Sequence, residues 1–145
     1  RFWISRVDDS VVPSATYPEP EVARVGLSEA EAEAQNIPVE VTRYTLDDLD
    51  RAIAEGSAEG WVKVLTKPGS DKILGACIVG PHAGELIQEF VSAMTHGLGL
   101  KKIMGTIHIY PTLAEANKLA AGVWRKARAP EGALRFLGRV HNLLR

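Results

Sequence analysis

The chain has 145 residues, with 17 basic and 18 acidic side chains and a single cysteine. That length can bury one domain's core without covalent staples, and one cysteine cannot make an internal disulfide, a CxxC redox pair or a thiolate zinc site. No uncharged run approaches the roughly eighteen apolar residues of a spanning helix, and the near-zero net charge divides into −7 up to Asn117 and +6 from Lys118 onward.

In chain order, residues 1–10 are polar with isolated aromatics and are expected to be a disordered or linker entry. Val11 to Val25 carries Pro13, Pro18 and Pro20, which predict extended or edge structure rather than a central strand. Ser28 and Glu31 are spaced as a capping box for a short acidic helix that stops near Asn36 and Pro38. Val39 to Thr45 alternates like a half-exposed strand. Leu46, Leu49, Ala52 and Ile53 then recur at helical spacing across Asp47 to Glu55. Trp61–Thr66 and Lys72–Val79 read as a hairpin around Lys67-Pro68-Gly69-Ser70, with the nearly all-apolar Ile73–Val79 as the buried central strand.

Beyond Gly80-Pro81 the period becomes helical. Leu86, Ile87, Phe90, Val91 and Met94 predict a helix over about 85–96, ended by Gly97 and Gly99. A second helix is predicted over about 113–127, with Leu113, Ala116, Leu119, Ala120, Val123 and Trp124 facing inward. Residues 130–145 form an amphipathic basic tail, leaving 11–129 as the domain. The predicted architecture is α+β, an antiparallel sheet with helices packed on one face. Arg1 in place of methionine leads to the expectation of a processed chain or a piece of a longer one, with a cytoplasmic location and no secretory leader.

Among chemistry-bearing groups, the turn Gly80-Pro81-His82-Ala83-Gly84-Glu85 has neither P-loop nor GxGxxG spacing and reads as a strand-to-helix turn. Cys77 sits in an apolar strand and reads as an inert core residue. The four histidines lack HxxxH or HExxH spacing, so no metal site is expected. The informative stretch is Thr106 to Glu115. There Thr112 and Glu115 repeat the capping-box spacing just after Tyr110 and Pro111. Either Glu115 only caps the helix, or Tyr110 and Glu115 converge at a site.

The stretches GWVKVLTKPGSDKILGACIVGPHAGELIQEF and HIYPTLAEANKLAA, together with YPEPEVARVGLSEAEA near the start, resemble the C-terminal dimerisation domain of the pyridine nucleotide-disulfide oxidoreductases. The resemblance runs from Val11 to about Ala127. It implies a parent chain with preceding FAD and NAD(P) domains, and a homodimer formed through this one. It also implies a histidine–proline–threonine segment with a following glutamate, lent to the partner subunit's active site beside the flavin, and a cis peptide before the proline. Pro111, Thr112 and Glu115 match that segment, His108 matches an earlier histidine of it, and Tyr110 stands where the acid–base histidine belongs. Tyr110 and Glu115 are therefore the candidate catalytic residues, and Tyr110 and Pro111 the candidate contacts to the partner's FAD. A phenol of ordinary pKa near about 10 does not cycle protons at neutral pH as imidazole does, although it can donate a hydrogen bond.

The implied activity is that of a flavin-dependent NAD(P)H oxidoreductase, inactive as this fragment alone and binding no cofactor by itself. A second reading is a binding module whose basic amphipathic tail contacts an anionic membrane or a partner. Only Phe136 interleaves the tail's cations, so nucleic acid is not an expected partner. Packing of the tail's apolar face on the domain or on a partner is expected over membrane contact.

Overall fold

Period-two alternation builds the sheet. In a computed structural model, which describes residues 11–129, five strands form one antiparallel sheet in the order β1-β2-β5-β4-β3. They are β1 (Ser14–Thr16), β2 (Val22–Gly26), β3 (Glu40–Thr45), β4 (Trp61–Thr66) and β5 (Ile73–Val79). The expected linker at 1–10 and the tail at 130–145 lie outside the described residues.

Two rows of register partners make the inner face: Ala23, Ile78, Val62 and Tyr44 in one, Val25, Ala76, Val64 and Thr42 in the next. All eight are buried. The opposite face carries the row Arg24, Cys77, Lys63 and Arg43. β5 occupies the centre, as its apolar composition predicts. The proline-rich entry behaves as expected only at β1. β2 starts after Pro20 and, carrying no proline, pairs on both sides, with β1 and β5.

Among the described residues six helices accompany the sheet: α1 (Glu29–Ala34), α2 (Asp50–Ala54), α3 (Ala83–Leu86), α4 (Gln88–Thr95), α5 (Leu100–Gly105) and α6 (Glu115–Ala127). A 3-10 turn at Leu46–Asp48 precedes α2. α3 and α4 pack on β5, and α6 on β3 and β4. Phe90, Ile87 and Leu100 meet Ile78, Val62 and Val64 in one core cluster. Full burial of each such side chain stabilises by about 1.5–3 kcal/mol before entropy is counted.

α1 begins on the predicted capping box. The Glu31 amide donates to the Ser28 hydroxyl at 3.2 Å, and the Ser28 amide donates to Glu31 Oε2 at 2.8 Å. Arg24 reaches the same carboxylate at 2.8 Å, and Lys63 pairs with Glu29, so α1 is tied to the outer sheet face. The Ser28 amide, then Arg24, hold the Glu31 carboxyl down at about 2.

Several expectations change. The helix predicted over 85–96 starts at Ala83 and is divided at Ile87. The 47–55 helix is likewise divided by Leu49, and Ile53 is 54% exposed. α5 has no counterpart among the elements expected from the sequence. Asp71 supplies its start from 29 residues upstream, accepting from the Leu100 amide through its carbonyl at 2.9 Å and from the Lys101 amide through its carboxylate at 3.3 Å. α6 buries Ala116, Asn117, Ala120, Ala121 and Trp124, while Leu119 and Val123 are each 39% exposed. Small alanines let α6 approach the sheet and α5 closely, and the bulkier residues are displaced to its flank.

Candidate functional site

The segment Thr106–Thr112 links α5 to α6 and holds the residues that the sequence singled out. Thr106 ends α5, its amide donating to the Ile103 carbonyl at 3.1 Å and its hydroxyl to the Lys102 carbonyl at 2.9 Å. Extended backbone then turns successive side chains in opposite directions. Ile107 is 93% and Ile109 78% exposed, whereas the His108 side chain between them is only 7% exposed.

Tyr110 follows, and the Tyr110–Pro111 peptide is cis, as the resemblance implies. The Tyr110 hydroxyl donates to Asp50 Oδ2 at 2.7 Å, at the start of α2. That hydrogen bond, then the charge of Asp50, raises the phenol's pKa. Tyr110 therefore keeps its proton at neutral pH and has its donor engaged within its own chain. Buried Tyr44 nearby is pushed up to about 12, by burial and then by the charges of Asp48, Asp47, Asp50 and Glu115.

The second capping box forms by half. The Thr112 amide donates to Glu115 Oε2 at 3.1 Å, but the Thr112 hydroxyl donates to the Ile109 carbonyl at 2.7 Å instead of accepting from α6. Helical geometry accordingly starts at Glu115 rather than Leu113. Tyr110 and Glu115 thus share one short segment. Their side chains take separate partners, Asp50 for the phenol and the Thr112 amide for the carboxylate.

Sequence reasoning misses three residues that shape this region. Asp50 lies 60 positions before Tyr110. Glu89 of α4 contacts His108 Nε2 at 2.9 and 3.2 Å, and Asn117 of α6 donates to Glu89 Oε2 at 2.9 Å and to the Leu86 carbonyl at 3.0 Å. No local spacing announces these pairings, because each joins different elements. His82 and Cys77 stay outside the segment. The turn Gly80–Gly84 is a strand-to-helix turn anchored by Glu21, whose carbonyl accepts from the Gly80 amide at 2.9 Å and whose carboxylate accepts from the Gly84 amide at 3.3 Å. Cys77 is half-buried, and burial raises its thiol pKa against the opposing charges of Lys63 and Arg24.

A five-stranded antiparallel sheet with a helical layer, and an exposed prolyl turn, defines a domain of the α+β class. The match to known sequences is specific. Residues 12–121 match the family described as pyridine nucleotide-disulphide oxidoreductase, dimerisation domain, and the chain belongs to that family. It is 44% identical over 109 residues to a dihydrolipoyl dehydrogenase of Chlamydia muridarum, covering 75% of this chain and 23% of that one. It is 43% identical over 115 residues to the mitochondrial dihydrolipoyl dehydrogenase of Dictyostelium discoideum, covering 79% and 24% respectively. The chain spans about a quarter of the length of these relatives. Among solved structures, LpdA of Mycobacterium tuberculosis superposes with TM-score 0.78 at 24% identity, over 88% of this chain and 27% of that one. The HOCl-induced flavoprotein disulfide reductase RclA of Escherichia coli gives 0.72 at 21% identity, over 77% and 26%. At those identities the likeness is one of fold.

Proposed function

We propose that this domain pairs two copies of a flavin- and NAD(P)-dependent oxidoreductase, and that Tyr110, Pro111 and Glu115 of each copy complete the active site of the other. One observation carries this reading. Ile107, Ile109 and Tyr110, at 93%, 78% and 66% exposure, form an apolar and aromatic crest on the segment that leads into α6, whose Leu119 and Val123 are also exposed. Exposed apolar groups gathered in this way mark an interaction surface, and the family match makes a second copy the natural partner.

The described residues do not fit a flavin site by themselves. The Tyr110–Pro111 turn offers an aromatic ring and a prolyl face on an open crest, with no phosphate-binding loop near it. FAD and NAD(P) would be held by other domains of a longer chain. Toward such a site this chain's own chemistry is limited. Tyr110, kept protonated by Asp50, can wall the site or redirect its hydroxyl hydrogen bond, but it does not shuttle protons at neutral pH. Glu115 sets the Thr112 backbone rather than orienting a base. The parent enzyme would therefore draw its proton donor from elsewhere than position 110.

The binding-module alternative rests on residues 130–145, outside the described region, and no feature of residues 11–129 favours it over the family reading. Sedimentation equilibrium of the 145-residue chain tests the proposal. A dimer at micromolar concentration that weakens on Ile107→Asp, with negligible binding of free FAD by flavin fluorescence, is the expected result. A monomer at the highest soluble concentration would overturn it.

A further inference from the structure

We propose that Glu89, His108 and Asn117 form a positioning clamp that fixes the Thr106–Thr112 segment between α4 and α6, with His108 as the residue that sets Tyr110 and Pro111. The inference rests on reading the Tyr110–Pro111 turn as the working edge of the domain.

His108 is the inward-facing side chain between Ile107 and Ile109, both largely exposed. Its Nδ1 lies 3.1 Å from the Thr106 carbonyl, and its Nε2 lies 2.9 and 3.2 Å from the two oxygens of Glu89. A carbonyl and a carboxylate can only accept, so a ring nitrogen that carries hydrogen donates to the acceptor beside it. One bond ties the ring to its own segment and the other ties that segment to α4. The ring is thereby fixed in rotation as well as in position.

Glu89 is held in turn. Asn117 Nδ2 donates to Glu89 Oε2 at 2.9 Å and to the Leu86 carbonyl at 3.0 Å, joining α6 to the α3–α4 run. Asn117 is 1% exposed, and its Oδ1 has no partner among the described residues. Burying an amide with one acceptor unmet costs stability that an alanine or leucine on the same helix face would not. The neighbouring buried positions of α6 are alanines and a tryptophan. A polar residue placed there at a cost is explained by what it holds, the carboxylate that receives His108. Charged and amide groups locked in this way keep a working turn in one geometry.

The turn also has anchors of its own in Thr112–Ile109 and Tyr110–Asp50, so the clamp makes a separable contribution. Amide hydrogen exchange and histidine-ring NMR of the 15N-labelled 145-residue chain test it. In the wild type, the His108 ring should hold a single orientation, with nuclear Overhauser contacts to Glu89. A ring that samples several orientations would overturn the proposal, and this needs no variant. His108→Leu should speed exchange at the hydrogen-bonded amides of Thr112 and Glu115 by about tenfold or more while amides of central β5 stay within about twofold, the pattern of a local opening. His108→Gln, which keeps one donor toward Glu89, should restore most of the protection. Equal acceleration of all amides, or no change at Thr112 and Glu115, would refute the clamp. Sedimentation of the same samples separates the two readings. A monomer with a clamped turn refutes dimer pairing alone, and a dimer with an unclamped turn refutes the clamp alone.

Discussion

The glycine at the centre of β5 offers a sharp test of the packing. A Cβ on Gly75 would lie 2.0 Å from the Leu27 carbonyl oxygen and 2.8 Å from its amide nitrogen. Non-bonded carbon atoms rest near about 3.5 Å, so Gly75→Ala forces the backbone at Leu27 outward by more than ~1 Å. The Leu27 amide donates to the Leu74 carbonyl at 2.9 Å, and that bond is strained by the same movement. Overpacking costs about 1–3 kcal/mol and a weakened hydrogen bond about 1 kcal/mol, offset by about 0.5–1 kcal/mol for relieving glycine's entropy. The net expectation is a loss of about 2 kcal/mol. Gly122 in α6 is the control. A methyl group there would meet no neighbouring element within 4 Å among the described residues, and the backbone is not left-handed, so Gly122→Ala should stabilise by about 0.5–1 kcal/mol through helix propensity. With a urea m-value near about 2 kcal/mol/M, the midpoint should fall by about 1 M for Gly75→Ala and rise by a few tenths for Gly122→Ala. Circular dichroism in urea reads both at one fixed protein concentration, so that any self-association bears on wild type and variants alike. A Gly75→Ala midpoint within about 0.3 M of wild type would refute the close approach of Leu27 to β5.

Further expectations concern ionisable groups. The Glu31 carboxyl is lowered from 4.5 to about 2 in the folded chain, so its contribution is complete above the unfolded pKa and disappears as pH falls through about 2. The melting-temperature gap between wild type and Glu31→Gln should therefore be widest above pH 5 and close towards pH 2; a gap constant across that range would refute the capping geometry. Tyr44 is raised from 10.0 to about 12, so its stabilising neutral form is complete below the unfolded pKa and is lost as pH rises through about 12. In an ultraviolet alkaline titration Asp50→Asn should shift Tyr110 clearly downward and Tyr44 by less, and an unchanged curve would mean that Asp50 does not hold the Tyr110 phenol. Cys77 should react with a disulfide reagent more slowly than free cysteine at pH 8, because burial raises its thiol pKa; a rate equal to that of free cysteine would contradict its placement.

What is legible in the sequence is what neighbouring residues decide among themselves. The apolar run in Ile73–Val79 and the Pro68-Gly69 turn place the central hairpin, and Gly69 takes the positive φ of 70° that its turn requires. Ser28 and Glu31 form their capping box, yet the same spacing at Thr112 and Glu115 does not, because the Ile109 carbonyl captures the Thr112 hydroxyl. α5 is hidden because its amides are satisfied by Asp71, outside any local window. The inner face of α6 departs from expectation at Leu119 and Val123 because hydrophobicity alone does not reveal that alanines permit the closer approach. At the candidate site the prolyl turn can be read from its motif. Its supports, Asp50, Glu89 and Asn117, come from three other elements and carry no spacing signal.

The sheet ends in two edges that offer little to a passing strand. β1 is three residues long and follows Pro13. β3, at the other side, exposes Arg43 and is crossed near its start by an ion pair between Glu40 and Arg128. Short, charged or obstructed margins resist the backbone templating that leads to amyloid-like stacking. Under the proposed pairing, copies of this domain would recognise one another through side chains, which can discriminate, rather than through main-chain ladders, which accept almost any extended peptide.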